Sequence, residues 1–423
     1  MKTPIGWLEN EIKSWVSESL LSESSAEKIL ARYQNEEPRR DLATIVFAAF
    51  GAALIALGII SLAAYNWEFF SRGAKAALAI LLLLIAQALG VYAKLKKPQN
   101  AAYSEGAGLF IALAFTGALA VIAQTYHLGG TLVDFSKIVI ALTLPVVYIF
   151  NSKSANAILF IAIVSLLCVV IEDKQPQALA WIYFFAWTPW YVYRLIKRRD
   201  SHTTQAFNLL FMCGSIAILN AALWRYYYNF EQGVVYHALF FGFFWLISSL
   251  LYPHKTGFFR RPVEEVAKLA IAIMLFTASA ESVHHWTYYV RQDMHTIFYL
   301  LCMPYFALFG FFFLKLKDRF FELIVPLAPF AFYLVYAADI GSASIWLFSL
   351  ACLIGGAAFI VGGVKRFDLT LAYQGITWLA LLVILRFFDS DLGFIEKGIG
   401  FIVVGAAFLA SSIFIRRYIK DAK

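Results

Sequence analysis

The chain has 423 residues, of which 61% are hydrophobic and only 15% charged. That balance excludes an ordinary soluble domain and fits a chain whose solvent is largely lipid. The formal net charge of +8 would suit a nucleic-acid binder, but the basic residues flank apolar segments, so a membrane surface accounts for them and no nucleic-acid partner is expected.

The first 40 residues are polar and carry both charge signs, unlike the basic and then apolar start of a cleavable signal peptide. Thr3-Pro4 supplies a cap followed by proline in the first turn of a helix. Ile5, Leu8, Ile12 and Trp15 then recur at helical spacing. Ser22 can cap a second helix with Ala26, Ile29, Leu30 and Tyr33 on one side. Residues 1–40 are therefore expected to form a small amphipathic helical hairpin. It either covers the membrane domain or docks a protein partner.

Residues 41–416 read as a transmembrane helix bundle, and residues 417–423 as a basic tail. A bilayer core of about 30 Å needs about 20 apolar residues per helical span. Such stretches occur at approximately 42–65, 74–95, 106–125, 135–150, 155–171, 178–196, 205–224, 233–252, 263–283, 295–314, 319–337, 343–363, 369–386 and 395–415. The fold class expected is thus all-α, a polytopic bundle of about 14 spans behind a cytoplasmic hairpin. Lipid admits only helices and closed barrels, and the short alternating segments of a barrel are not visible. Segments 135–150 and 155–171 are short and separated by four residues, as a tight hairpin or a partly re-entrant pair would be. Pro326 and Pro329 in one segment hint at a discontinuous helix. Gly355-Gly356 and Gly362-Gly363 permit close helix approach. The four cysteines each fall inside an apolar stretch and are expected to act as small packing residues.

Lys and Arg concentrate in alternate connections. With the N-terminus inside, 26 lie in inside segments and eight outside; Lys268, at the inner start of a span, completes the 35. This bias predicts a multi-pass protein of the cytoplasmic (inner) membrane with both termini cytoplasmic.

Three segments carry a resemblance. They are Trp15-x4-Leu20-Leu21-Ser22-x3-Ala26-x2-Ile29-Leu30, then Ala64-Tyr65-Asn66-Trp67-Glu68 with Arg72-Gly73-Ala74-Lys75, and Ile122-Ala123-Gln124-Thr125-Tyr126-His127-Leu128. Together they resemble an uncharacterised bacterial membrane-protein family, domain of unknown function 2157. The ending Arg386-Phe387-Phe388-Asp389 with Lys397-Gly398 also looks like that family's C-terminal pattern. Where the family usually has glycine, this chain has Ser19. The resemblance covers roughly the first 150 residues and implies an integral membrane protein of unknown activity.

The candidate polar site is Asn66, Trp67, Glu68, Arg72 and Lys75 with Gln124, Tyr126 and His127. All are placed at the outer ends of the first three spans. A carboxylate, an amide and an imidazole together could hold a polar headgroup or relay a proton. The competing view is structural: interfacial aromatics, helix ends and a local ion pair. Glu281, His284 and His285 form a second cluster, with Glu281 and His285 four apart on one helical face. This is a loose ligand spacing, so no metal site is expected, and no cofactor. Arg386 and Asp389 are spaced for a local ion pair, of little energetic value if exposed. Of the in-span polar residues, Glu322 and Asp339 are expected near water at span ends. Asn208, Asn220 and Gln374 are expected to bond between helices.

No motif carries catalysis. Three functions are expected to compete. The first is a transporter or translocase of an amphipathic envelope substrate through an outward-facing polar site. The second is a non-catalytic scaffold or sensor working through the N-terminal hairpin. The third is a multi-span enzyme on a lipid-linked substrate, with Glu68 or Asp134 as its acid. The bilayer, a lipid or amphipathic small molecule, and a protein at residues 1–40 are the partners implied.

Overall fold

The structure is a computed structural model. It describes residues 4–34, 69–98, 100–226, 230–253, 261–280, 293–338 and 343–389, with 402, 405 and 406. Among the described residues every regular element is a helix. The chain divides into two compact units, residues 1–75 and 76–423.

In the first unit, α1 (Pro4–Ser17) is followed by α2 (Glu23–Gln34). The turn between them is set by Ser19, whose φ of 59° lies in the left-handed region. The amides of Leu20 and Leu21 return to the Trp15 carbonyl at 2.9 and 3.2 Å. A glycine would take this left-handed position without strain. Serine occupies it here, which is where the family resemblance and this chain part. Ile12 and Ala26 are buried.

The second unit is built from the later part of α3 (Arg72–Lys96) and eleven further α-helices. These are α4 (Ala101–Tyr126), α5 (Leu132–Phe150), α6 (Lys153–Glu172), α7 (Ala178–Lys197), α8 (His202–Tyr226) and α9 (Phe230–Leu251). Then come α10 (Pro262–Ala278), α11 (Asp293–Lys315), a 3-10 helix (Lys317–Glu322), α12 (Ile324–Ala337), α13 (Ala343–Lys365) and α14 (Leu369–Asp389). Helices α3 to α14 occupy twelve of the fourteen expected segments. Segments 42–65 and, but for three residues, 395–415 lie outside the described residues. Among the described residues eight helices are long and apolar enough to cross a membrane, namely α3 to α6, α8, α9, α13 and α14. The chain is thus an all-helical protein with several membrane-spanning helices, whereas a count of fourteen goes beyond the described residues. Many of their large apolar side chains face outward, Leu84, Ile149, Leu353 and Ile354 among them. An apolar exterior around an apolar interior suits lipid, not water.

Local chemistry sets the helix ends. Asn100 caps α4 by accepting from the amides of Ala102 and Tyr103. Thr131 and Asp134 form a reciprocal capping box at the start of α5. Asn151 closes α5 in the left-handed region, and Ser152 caps α6 by accepting from the Ala155 amide. The Glu105 carboxylate also accepts from the Lys153 and Ser154 amides, at 2.8 and 2.6 Å. α5 and α6 have 19 and 20 residues. They are full-length antiparallel helices, not a re-entrant pair. Pro326 falls in the first turn of α12, where a missing N–H costs nothing, and Pro329 lies inside it. The break in that segment is therefore at its entry, in the 3-10 helix.

Two large cores and two smaller clusters are found among the described residues. One is built from α5 to α8 around Phe160, Trp187 and Leu167. The other spans α9 to α14 around Trp245, Tyr305, Phe312 and Phe332. Small residues set the closest approach, between α13 and α14. A side chain on Gly363 would meet the backbone and Cβ of Ala372, and one on Gly375 would meet the Gly356 carbonyl. With no hydrophobic drive between helices in lipid, such close packing is a main source of their association.

Candidate functional site

Three connections that carry basic residues meet at one end of the second core. Arg261 opens α10, Arg319 sits in the 3-10 helix, and Arg366 follows α13. Two carboxylates tie them together. Glu264, in the first turn of α10, accepts from Arg261 Nη1 at 2.8 Å and from Arg319 Nη2 at 2.5 Å. Glu322 accepts from Arg319 Nη2 at 2.6 Å and from Arg366 Nη1 at 2.8 Å. Ser249 of α9 donates to Glu264, and the Arg319 guanidinium lies 5.1 Å from the centre of the Trp245 ring. Glu264, Arg319 and Glu322 are buried to within 2% of full exclusion. Glu322 thus does not reach water, as its place near a span end had suggested. It is shielded by three cations.

The network continues into a cleft. Lys268 lies one turn along α10 from Glu264. Its Nζ is 2.9 Å from Glu265 Oε1, 3.2 Å from Gln374 Oε1 and 4.0 Å from Glu322 Oε2. Gln374 of α14 in turn donates to Glu265 Oε2 at 2.8 Å. Glu265, Lys268 and Gln374 form the polar end of a cleft of about 450 Å³ between α10 and α14. Thr370 and Tyr373 line the same end, while Ala272, Phe276, Phe359, Trp378 and Leu381 make the rest mostly apolar, with Thr377 among them. α10 and α14 both start at this end, so polarity falls along the cleft in the direction of both helices. The buried indole N–H of Trp378 finds no hydrogen-bond partner among the described residues. Leu269 and Ile273 on the cleft's lip are 60% and 54% exposed, so it opens sideways.

The residues singled out from the sequence are distributed differently. Asn66, Trp67, Glu68, Glu281, His284 and His285 lie outside the described residues. Arg72 and Lys75 are in the first turn of α3, which Ser71 caps by accepting from the Ala74 amide at 3.2 Å. Gln124 and Tyr126 end α4 with exposed side chains. His127 is that helix's C-cap, left-handed at φ 51°, its amide bonded to the Ala123 carbonyl. Part of the motif at 122–128 is therefore a helix stop. Asp134, one of the acids considered for an enzyme, is engaged in the capping box and 3.4 Å from Lys137.

The side chain of Asp389 lies outside the described residues, while Arg386 bonds across helices. It donates to the Ser279 carbonyl at 2.5 Å and to Ser349, and it lies over Trp346. It thereby holds together the far ends of α10, α13 and α14. Asn208 bonds Tyr191 and Tyr252, at 2.7 and 3.1 Å. Asn220 meets His237 at 3.2 Å, and Gln374 bridges α14 to α10. These three therefore bond between helices.

Residues 13–156 match the family described as Predicted membrane protein (DUF2157). The DUF2157 stretch holds the end of α1, all of α2 to α5 and the first turn of α6, together with all three motifs above. It ends before the ionic network and the cleft, and does not reach the Arg386 to Gly398 pattern. No curated protein and no solved structure matches the chain.

Sequence reasoning counted Arg261, Arg319 and Arg366 only as topological charges and missed their carboxylate partners. The available signal was Glu264-Glu265 in the first turn of a span with Lys268 beyond them, and the Arg319/Glu322 spacing. Acids at a basic membrane boundary call for a partner.

Proposed function

We propose that this integral membrane protein is a carrier that takes an amphipathic molecule sideways from the bilayer into the cleft between α10 and α14. One observation carries the reading. The cleft is graded, with Glu265, Lys268 and Gln374 at one end and aromatic and aliphatic walls beyond them. A concave, mostly apolar pocket with a few converging polar groups is the usual form of a small-molecule site. The lateral opening favours a ligand dissolved in lipid. By the charge bias, the polar end lies at the cytoplasmic side of the inner membrane, so loading would occur there. Gln124, Tyr126 and His127 lie at the opposite end of the bundle. They are proposed as an exit-side polar site, which makes the protein a translocase.

The scaffold reading has its own support. The ionic network clamps three connections and leaves little freedom for helix motion at that end. A protein partner at residues 1–40 belongs to this second reading. The enzyme reading loses Asp134 to a capping box.

The test fills the cleft. Ala272→Trp places a large ring in the apolar wall. Purified into mixed-lipid nanodiscs and released in a native mass spectrometer, the natural chain should retain bound amphiphile, and Ala272→Trp should lose it at equal expression. Equal retention by both proteins would remove the cleft as a binding site.

A further inference from the structure

Resting on the carrier reading, we propose that the cleft selects a phospholipid with an anionic headgroup, and that Lys268 reads the phosphate in exchange for Glu265. Charge comes first. The ion-paired network joins four cations, Arg261, Lys268, Arg319 and Arg366, to three carboxylates, Glu264, Glu265 and Glu322. One positive charge is left over in a network of which Arg366 is the most exposed member, at 23%, and Lys268 is nearly buried. Uncompensated charge in such surroundings is costly, so an anion is the complement the site lacks. Lys268 alone among the four cations lines the cleft. Its nearest carboxylate, Glu265 at 2.9 Å, also lines the cleft and can yield its place.

Length comes second. Glu265 to Phe276 is eleven helical steps, about 16 Å at 1.5 Å per residue. That is about half of a 30 Å hydrocarbon core. The cleft therefore matches one leaflet, with its charged end at headgroup depth. A free anion would use the polar end and leave the apolar length empty, which favours a lipid as the source.

The exchange predicts an effect of unusual sign. Glu265→Gln removes the competing carboxylate and raises the leftover charge to two. A purely structural Glu265 would lose stability and bind lipid no better.

The experiment uses the full chain in nanodiscs of equal parts phosphatidylglycerol and phosphatidylcholine, with retained lipid counted by native mass spectrometry. The natural chain should retain phosphatidylglycerol over phosphatidylcholine by about tenfold, because the choline ammonium offsets the phosphate charge that Lys268 pairs with and the glycerol headgroup does not. Glu265→Gln should widen that ratio, and Lys268→Gln should abolish it. Excess inorganic phosphate should leave the retained lipid in place. Retention of both lipids without preference, or a narrower ratio in Glu265→Gln, would overturn the headgroup assignment while leaving the carrier reading intact. Displacement by inorganic phosphate would overturn the lipid source. If the natural chain retains no lipid and matches Ala272→Trp, the carrier reading itself falls.

Discussion

Arg319 is the residue on which the inner end of the second core depends. Its guanidinium bridges two carboxylates 58 positions apart in the chain, Glu264 and Glu322, and rests on Trp245. Arginine suits this place because its planar fork offers several fixed donors to two carboxylates at once, a geometry that a lysine's single nitrogen does not reproduce. Removing it leaves two carboxylates buried with fewer partners. Arg319→Met should therefore cost about 3–5 kcal/mol, the range for breaking a buried ion pair from one side. Thermal unfolding in detergent would show it as a lowered midpoint. Adding Glu264→Gln should recover part of the loss, because the uncompensated charge is gone; a double variant no better than the single one would refute this view of the network. His127 shows the opposite case. It attracts notice as an imidazole beside an amide, yet its backbone ends α4 in a left-handed turn.

At the scale of elements, the α13/α14 pair positions the cleft. Gly356, Gly363 and Gly375 let the two backbones meet, and this fixes where Gln374 and Trp378 of α14 stand relative to α10. Gly363→Val would drive a branched side chain into the backbone of Ala372. Overpacking usually costs about 1–3 kcal/mol, and contact with backbone belongs at the upper end. The expected result is a lowered melting temperature together with loss of the lipid retained in the cleft. Gly106→Ala serves as the control, since nothing lies within 4 Å of the added carbon. Equal stability of the two variants would mean that the close approach is not what holds the pair.

For the whole molecule, the charge bias and the bonding pattern agree. Connections 255–261, 315–319 and 365–366 were assigned to one side by their Lys and Arg, and Arg261, Arg319 and Arg366 meet there in one network. The other core repeats the pattern. Glu105 holds the start of α6, and Trp190 donates to Asn151 at 2.8 Å, both at ends flanked by basic residues. Orientation in the cell remains a prediction. Cysteine introduced at Lys315 or Lys365, in a chain without its four natural cysteines, should react with a membrane-impermeant maleimide only after the cells are opened. Cysteine at Leu128 should react from outside. Labelling of all three from the same side would break the alternation on which the span order rests.

The sequence by itself determined the class, the helix order and most helix ends. An apolar run, a flanking basic residue and a capping Asn, Ser or Thr each act on their own few neighbours, so their meaning is local. The resemblance in the first 150 residues was likewise readable, and the match over residues 13–156 agrees with it. Only the tertiary structure decided the site. Arg319 finds Glu264 across 55 positions, and Lys268 finds Gln374 across 106. Those distances are set by which helices pack together, and in lipid that choice turns on shape and hydrogen bonding more than on hydrophobicity. A pattern of apolar and polar letters cannot express it. The same reason explains why the charges that looked like topology markers, Arg261, Arg319 and Arg366, meet in one ionic network.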